Sequence, residues 1–162
     1  MARLFRLCAS AVVFNDEGLL LLGNRIDTKE PAWQFPQGGI EEGETPLMAA
    51  KRELFEETSV VSVDPVYSDE NANRYTFPED VKQNFQKKGI ISEGQDIYFS
   101  LFYFTGEEDE INVKTAHPEF REYCWKDFDF AVENIIDFKK EVYASAMHRL
   151  KPIIKQYLDN RS

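Results

Sequence analysis

Glutamates between residues 38 and 60 have the type and spacing that metal-dependent phosphate chemistry requires. Glu53, Glu56 and Glu57 are three and four residues apart, which places their carboxylates on one face of a helix. Like charges one turn apart destabilise a helix by about 0.2–0.5 kcal/mol per pair, so this face needs a neutralising partner. Carboxylate oxygens suit Mg²⁺ or Mn²⁺, and substrate phosphates would complete the coordination. The alternative is a solvated acidic helix, because most runs of charge are solvated.

Arg52 and a glycine-containing loop stand where they would hold this acidic face in place. Arg52 lies four residues before Glu56 and is able to reach back to Glu44, which would brace the helix against the loop ahead of it. Three glycines would let that loop bring its backbone close to bound ions: Gly38, Gly39 and Gly43. These fixed offsets favour a metal site over a solvated helix.

The helix that carries these residues is predicted to run from about residue 46 to residue 58. Thr45 is suited to cap the first turn, and Pro46 is tolerated there because its missing N–H would be unpaired anyway. Apolar residues recur at three- and four-residue steps and give the helix a packing face: Leu47, Ala50 and Leu54.

The segment resembles the signature of the Nudix hydrolase family. That signature is glycine, five residues, glutamate, seven residues, Arg-Glu, an apolar residue, one residue, Glu-Glu, one residue, glycine and an apolar residue. Every position from Gly38 to Val60 matches except Ser59, which stands where the family has glycine. That glycine ends the helix in a left-handed conformation, where another residue costs roughly 1 kcal/mol of strain.

Further matches outside the signature resemble one branch of the family, which contains bacterial RNA pyrophosphohydrolases and asymmetric dinucleoside polyphosphate hydrolases. The matching residues are Arg25-Ile26-Asp27, Trp33-Gln34-Phe35-Pro36-Gln37-Gly38-Gly39-Ile40, Pro118-Glu119-Phe120, Trp125, Phe138-Lys139-Lys140 and Val142-Tyr143. One departure is Asp96-Ile97, which follows Gly94-Gln95 where this branch often carries a lysine-rich step.

The resemblance implies roles for particular residues. The catalytic and metal-binding set is Gly38, Glu44, Arg52, Glu53, Glu56, Glu57 and Glu119. In it, the Gly38 carbonyl would be a metal ligand, and Glu119 would be a further ligand or the general base. The substrate-binding set is Arg6, Arg25, Trp33, Gln37 and Lys139. Its three cations stand where the branch contacts substrate phosphates, with surface ion pairs as the alternative. Two or more Mg²⁺ or Mn²⁺ ions are implied when substrate is bound.

The function implied is metal-dependent hydrolysis of phosphoanhydride bonds, with removal of pyrophosphate from 5′-triphosphorylated RNA as the leading hypothesis. The first alternative is hydrolysis of an asymmetrically cleaved dinucleoside polyphosphate such as diadenosine tetraphosphate. The second is a non-catalytic module of the same fold that binds RNA or protein. The complete carboxylate set favours an enzyme, because a binding module has no need of mutually repelling acids.

Composition limits the partners. The 162 residues suit a single domain spanning 1–162, and a net charge of -10 argues against nonspecific binding to nucleic acid, so no stable DNA binding is expected. A nucleotide or an RNA 5′ end would be held by metal ions and local cations. No apolar run is long enough to span a membrane. The two cysteines, Cys8 and Cys124, are expected to be buried thiols in the cytoplasm. Composition does not indicate the oligomeric state.

The remaining elements predict an α/β fold, a layered sandwich with a mixed β-sheet, and the resemblance implies the same Nudix-type α/β/α sandwich. Strands are expected at residues 5–14, 19–23, 60–67, 73–77, 97–104, 111–114 and 123–125, and the strand at 97–104 is expected to be central. The polar stretch 78–95 is expected to be a loop. An amphipathic helix is expected at 135–157, kinked or split by Pro152.

Overall fold

A mixed β-sheet forms the centre of the computed structural model, which describes residues 4–161. The strands are β1 (Phe5–Phe14), β2 (Leu20–Arg25), β3 (Trp33–Gln34), β4 (Gln37–Gly39), β5 (Val63–Ser68), β6 (Asn73–Thr76), β7 (Gly94–Phe104) and β8 (Phe120–Lys126). The main path through the sheet is β3-β2-β1-β7-β5, while β4 pairs with β1, β6 with β7 and β8 with β2. Strands β1 and β7 run parallel, and the other pairs are antiparallel.

Helices cover both faces of this sheet. They are α1 (Pro46–Thr58), α2 (Glu79–Lys87), α3 (Phe128–Asn134) and α4 (Lys140–Arg161). Alternate residues of β1 enter two separate apolar clusters, because successive side chains of a strand point to opposite faces. Ala9 and Ala11 pack with Leu54 of α1, whereas Val12 and Phe14 belong to the cluster that contains α3 and α4. The arrangement confirms the predicted α/β/α sandwich.

Helix α1 has the predicted bounds and the predicted N-cap. The Thr45 hydroxyl accepts a hydrogen bond of 3.2 Å from the Met48 N–H. At the other end Ser59 adopts the left-handed conformation, with φ of 68°. Its hydroxyl donates to the Asn112 carbonyl at 2.9 Å, and this contact offsets part of the strain at a non-glycine residue. The turn that follows the metal-site helix in the family is therefore retained without glycine.

The strands follow the predictions closely except at 111–114. The strand expected at 97–104 lies within β7, which pairs with β1, β5 and β6 and is central as predicted. Residues 111–114 form no strand, so that prediction is wrong. Ile111 and Val113 are buried, but the backbone there is held by other contacts, such as the Asn112 N–H donating to the Thr58 carbonyl at 2.8 Å. An alternation of apolar residues indicates burial, and a strand also requires a partner for its backbone.

The prediction of a loop over 78–95 is wrong, because the first half of that stretch is α2. Val81 and Phe85, four residues apart, pack against the main core, although no residue of the helix is fully buried. Glu79 and Asp80 lie in the first turn, where carboxylates interact favourably with the helix dipole. Only two apolar residues dock this helix, which is too few to give a convincing helical period in the sequence.

The C-terminal region contains more helices than predicted. Helix α3 was not expected, and a 3₁₀ turn over Asp137–Lys139 precedes α4, so the long helix begins at Lys140 rather than at residue 135. Helix α4 continues through Pro152 to Arg161, and the predicted split is wrong. Pro152 lies on the exposed side of the helix, where a carbonyl that loses its partner can bind water. Within residues 4–161 no helix has both the length and the apolar content to cross a bilayer.

Candidate active site

A cavity of about 470 Å³ is lined by residues from five strands, two helices, one 3₁₀ turn and the segments beside them. Its wall contains the carboxylates of Glu53, Glu57 and Glu119 and the cations of Arg25 and Lys139. Three amides and several aromatic rings complete most of the lining: Gln34, Gln37, Gln95, Tyr75, Phe77, Phe85 and Phe138. One open cavity therefore contains acidic groups, cationic groups and flat aromatic surfaces.

The carboxylates of Glu53 and Glu57 are crowded and largely removed from water. Glu57 is 3% exposed and accepts a hydrogen bond of 3.0 Å from the backbone N–H of Gln37. Burial, followed by the charges of Glu53 and Glu119, raises the pKa of Glu57 to about 10. Burial also raises the pKa of Glu53. Negative charge at this position is therefore costly without a cation nearby.

The backbone of β4 lies directly against one of these carboxylates. A Cβ atom added at Gly38 would lie 2.1 Å from the carboxyl carbon of Glu53, so any side chain there would displace the acid. At the adjacent Gly39 an added Cβ would have no atom within 4 Å. The requirement for glycine at residue 38 is therefore steric.

Arg52 connects the acidic helix to the loop before it, as the sequence predicted. Its Nε and Nη2 donate to the two oxygens of Glu44 at 2.8 and 2.9 Å, and Nη2 also donates to the Gly39 carbonyl at 2.8 Å. Nη1 binds Glu53 at 2.7 Å and Glu56 at 3.3 Å. The bond from Arg52 is the main cause that lowers the pKa of Glu44 to about 2, and the carboxylates raise the pKa of Arg52. Arg52 thus joins α1 to the loop before it.

The donor set fits a divalent metal ion. Its atoms are carboxylate oxygens and a backbone carbonyl, which are the ligands that Mg²⁺ and Mn²⁺ prefer. A cation would offset the burial and the repulsion that together raise the pKa of Glu57. Within residues 4–161 no three acidic, histidine or cysteine side chains already meet in ligand geometry. Glu56, with 53% of its side chain exposed, points to Arg52 and lines a neighbouring cavity with Glu53 and Glu57.

The two cations of the cavity differ in environment. Nε and Nη2 of Arg25 bind the carboxylate of Asp27 at 2.9 and 2.6 Å. Lys139 is 5% exposed, and its Nζ lies 5.9 Å from the centre of the Tyr75 ring. Burial, and after it the charge of Arg25, lowers the pKa of Lys139 to about 8. Arg25 is thus held by a local ion pair, whereas Lys139 is enclosed by tertiary packing.

Two residues predicted to bind substrate are not among those that line the cavity, although each is next to a lining residue. Trp33 packs edge-on against Phe130 at 6.2 Å between ring centres. Arg6 is exposed on β1, opposite Gln95 of β7. The predicted residues that line the cavity are Arg25, Gln37, Gly38, Glu53, Glu57, Glu119 and Lys139. Of the others, Glu44 and Arg52 brace the acidic helix, and Glu56 lies in the adjoining cavity.

Sequence reasoning missed part of the apolar wall. Tyr75 and Gln95 line the cavity, and their side chains contact each other. Val81 and Phe85 line it from α2, the helix that was expected to be a loop. Their spacing of four residues was the one available signal.

Two features define the class of protein. One is the β-sheet between helices, and the other is the helix α1, whose carboxylates lie beside Gly38. A sequence model of the NUDIX domain matches residues 4–146, and the chain belongs to the Nudix family of hydrolases. Members of this family generally use divalent metal ions. A solved structure of a C. elegans Ap4A hydrolase in a binary complex has a TM-score of 0.60 at 14% identity, covering 90% of this chain and 98% of that chain. At that identity the likeness concerns the fold alone.

Two curated relatives are closer in sequence, and both are named RNA pyrophosphohydrolase. The protein from Pelagibacter ubique is 35% identical over 147 residues, which are 88% of this chain and 89% of the relative. The protein from Roseobacter denitrificans is 38% identical over 150 residues, which are 91% of this chain and 92% of the relative. The similarity extends well beyond the carboxylate helix.

Proposed function

We propose that this Nudix hydrolase removes pyrophosphate from the 5′ end of triphosphorylated RNA and leaves a 5′-monophosphate. The observation that carries the proposal is the single cavity in which the acids Glu53, Glu57 and Glu119 share a wall with Arg25 and Lys139. A polyphosphate bound there would meet both metal-binding and phosphate-binding groups. The relatives named RNA pyrophosphohydrolase support the choice of RNA as substrate.

Different residues of the site would have different roles in hydrolysis. Glu53, Glu56, Glu57 and the Gly38 carbonyl would hold two or more Mg²⁺ or Mn²⁺ ions, which when bound would polarise the phosphoanhydride and lower the pKa of a bound water. Arg25 and Lys139 would hold the substrate phosphates. Glu119, which is exposed and lines the cavity, would accept a proton from the attacking water if it is not itself a ligand. Arg52 and Glu44 would keep the helix in register with the loop.

The aromatic side of the cavity would accommodate the 5′-terminal bases. Tyr75 and Phe77 lie 5.9 Å apart between ring centres, and Phe138 lies 5.9 and 5.8 Å from them. Stacking of a base on aromatic rings contributes about 1–3 kcal/mol and depends little on sequence. Such a wall suits a substrate that joins a polyphosphate to a nucleoside.

We further propose that the protein acts in the cytoplasm on a nucleotide or RNA 5′ end. The structure contains two free thiols, Cys8 and Cys124, of which Cys8 is buried. Burial raises the pKa of both thiols, which disfavours the reactive thiolate. Such thiols are typical of a reducing compartment.

Parallel turnover assays test the proposed function. The purified protein with magnesium is offered 5′-triphosphorylated RNA and diadenosine tetraphosphate at equal concentration, and products are separated by chromatography. We expect pyrophosphate release from the RNA to be faster than cleavage of the dinucleotide. The reverse order would assign the protein to the dinucleoside polyphosphate hydrolases. No turnover of either substrate would favour a binding module.

The Glu57→Gln variant is the control for that assay. Glutamine keeps the shape of the side chain and removes its charge, so turnover is expected to fall by at least about a hundredfold. Circular dichroism should show an unchanged fold. Near-normal turnover by this variant would mean that Glu57 is not a metal ligand.

A further inference from the structure

A β-bulge on β8 turns the side chain of Arg121 out of the regular ladder. Asn24 of β2 pairs with Glu122, but the next residue, Arg25, pairs with Phe120. Arg121 is therefore the additional residue of the bulge. Bulges commonly redirect a side chain, and they occur often beside active sites.

The guanidinium of Arg121 binds three carbonyls of one short turn. We define the 25–28 turn as Arg25, Ile26, Asp27 and Thr28. Nε and Nη2 of Arg121 lie 3.3 and 3.2 Å from the carbonyl oxygen of Arg25. Nη2 also lies 3.1 Å from the Ile26 oxygen and 3.0 Å from the Thr28 oxygen. The Thr28 hydroxyl also donates to the Arg25 carbonyl at 3.4 Å, so hydrogen bonds hold the turn from inside and from β8.

The same turn is joined to the segment that carries Glu119. The N–H of Ile26 donates to the Glu119 carbonyl at 3.0 Å. Arg25, at the start of the turn, lines the cavity, and so does Glu119. The side chain of Asp27 holds the guanidinium of Arg25 through two hydrogen bonds. The geometry of the turn therefore decides where the Arg25 charge lies in relation to the acids.

We propose that Arg121 is a positioning residue, which clamps the 25–28 turn and so holds the Arg25–Asp27 pair at the cavity wall. The proposal rests on the proposed function only for the identity of the substrate. Arg121 is exposed and is not among the residues that line the cavity, so its effect on turnover would pass through Arg25.

Hydrogen–deuterium exchange tests the clamp without reference to turnover. In Arg121→Gln, amides of residues 25–31 are expected to exchange faster, while peptides from α1 and α4 keep their protection. Arg121→Lys should show an intermediate rate, because an ammonium can reach these carbonyls but lacks the planar fork. Lys126→Gln is the matched control, since it removes one positive charge from the same strand and leaves the turn intact. Exchange in Arg121→Gln equal to that in Lys126→Gln would refute the clamp.

Steady-state kinetics test the consequence for substrate. In Arg121→Gln, KM for 5′-triphosphorylated RNA is expected to rise roughly tenfold while kcat stays within about twofold, because a displaced cation weakens binding in the ground state and the transition state alike. In a protein that already carries Arg25→Gln, adding Arg121→Gln should raise KM no further, because Arg121 acts only by positioning Arg25. An additive increase would refute positioning through Arg25.

The experiments distinguish failure of the proposed role of Arg121 from failure of the proposed function. If the unmodified protein does not cleave RNA, the proposed function fails, and KM is measured with whichever substrate of the panel is cleaved. If nothing is cleaved, the exchange experiment still decides whether Arg121 holds the turn. Unfolding temperatures of all variants are compared so that a general loss of stability is recognised.

Discussion

Lys139 is a charged side chain in a position where charge is unfavourable. Within the described residues it forms no ion pair at 4 Å or less, and its Nζ lies 5.9 Å from the centre of the Tyr75 ring. The groups that influence its charge are Arg25, Cys8, Asp27 and Glu57. Burial lowers the pKa of Lys139 from 10.5 to about 8, so at pH 7 the ammonium is maintained at the expense of stability. That expense is consistent with a group kept to bind phosphate.

Replacement of Lys139 by methionine should stabilise the protein and impair turnover. Below pH 8 the unfolded and folded chains are both protonated, and the shift from 10.5 to about 8 corresponds to about 3 kcal/mol of destabilisation. Between pH 8 and 10.5 the unfolded chain binds more protons, so the penalty declines as pH rises. The gain in unfolding free energy for Lys139→Met, measured in urea, should therefore be larger at pH 7 than at pH 9.5. An equal gain at both pH values would contradict the lowered pKa.

At the scale of elements, the site depends on the close approach of β4 to α1. Arg52 spans the gap by binding the Gly39 carbonyl, and Gln37 donates its N–H to Glu57. At the end of α1, Ser59 forms the left-handed turn in place of glycine. The contacts of Arg52 and Glu57 each join a side chain of α1 to the backbone of β4. The acids are consequently fixed relative to β4 more firmly than a helix surface alone would permit.

Alanine substitutions at the neighbouring residues Gly38 and Gly39 test whether turnover depends on the close approach of β4 to Glu53. A general effect on the loop would lower the turnover of both variants. In Gly38→Ala the new Cβ would overlap the Glu53 carboxyl carbon at 2.1 Å, so turnover is expected to fall roughly a hundredfold from misplacement of the acid. Gly39→Ala is the control, because nothing lies within 4 Å of its Cβ, and its turnover should stay close to normal. Both are measured as kcat with magnesium, together with unfolding temperature. Equal activity of the two variants would contradict the steric account.

At the scale of the whole molecule, the charge of -10 opposes the binding of RNA outside the cavity. Under the proposed function, favourable contacts with phosphates would come from Arg25 and Lys139 and from metal ions bound by the acids. The protein is therefore expected to bind the end of the RNA rather than its length. The exposed surface would repel the remaining phosphates.

RNA length should consequently have little effect on KM. For 5′-triphosphorylated RNAs with the same first nucleotides, extension from about 6 to about 30 nucleotides is expected to change KM by less than about twofold, because phosphates beyond the cavity release no counterions. Steady-state assays at two salt concentrations measure this directly. A KM that falls steadily with length would indicate a basic path outside the cavity.

Helix α1 shows what local sequence was able to specify. Its N-cap at Thr45, the proline in its first turn and the repeat of apolar residues all depend on neighbours within one or two turns, and the predicted bounds agree with the structure. The contact of Arg52 with Glu44 was predictable for the same reason. By contrast, residues 111–114 alternate like a strand but have no ladder partner, and α2 is docked by only Val81 and Phe85.

The sequence by itself determined the family and the sandwich of sheet and helices, and it placed the acids that we propose as metal ligands on one helix face, because these features depend on residue types and their short-range spacing. Only the tertiary structure decided that Lys139 is buried beside Tyr75, that Trp33 packs against Phe130, and that Arg121 binds the turn before β3. These facts join residues from about 60 to nearly 100 positions apart. Burial and distance at such separations follow from how strands and helices pack, which the spacing of residues along the chain does not encode.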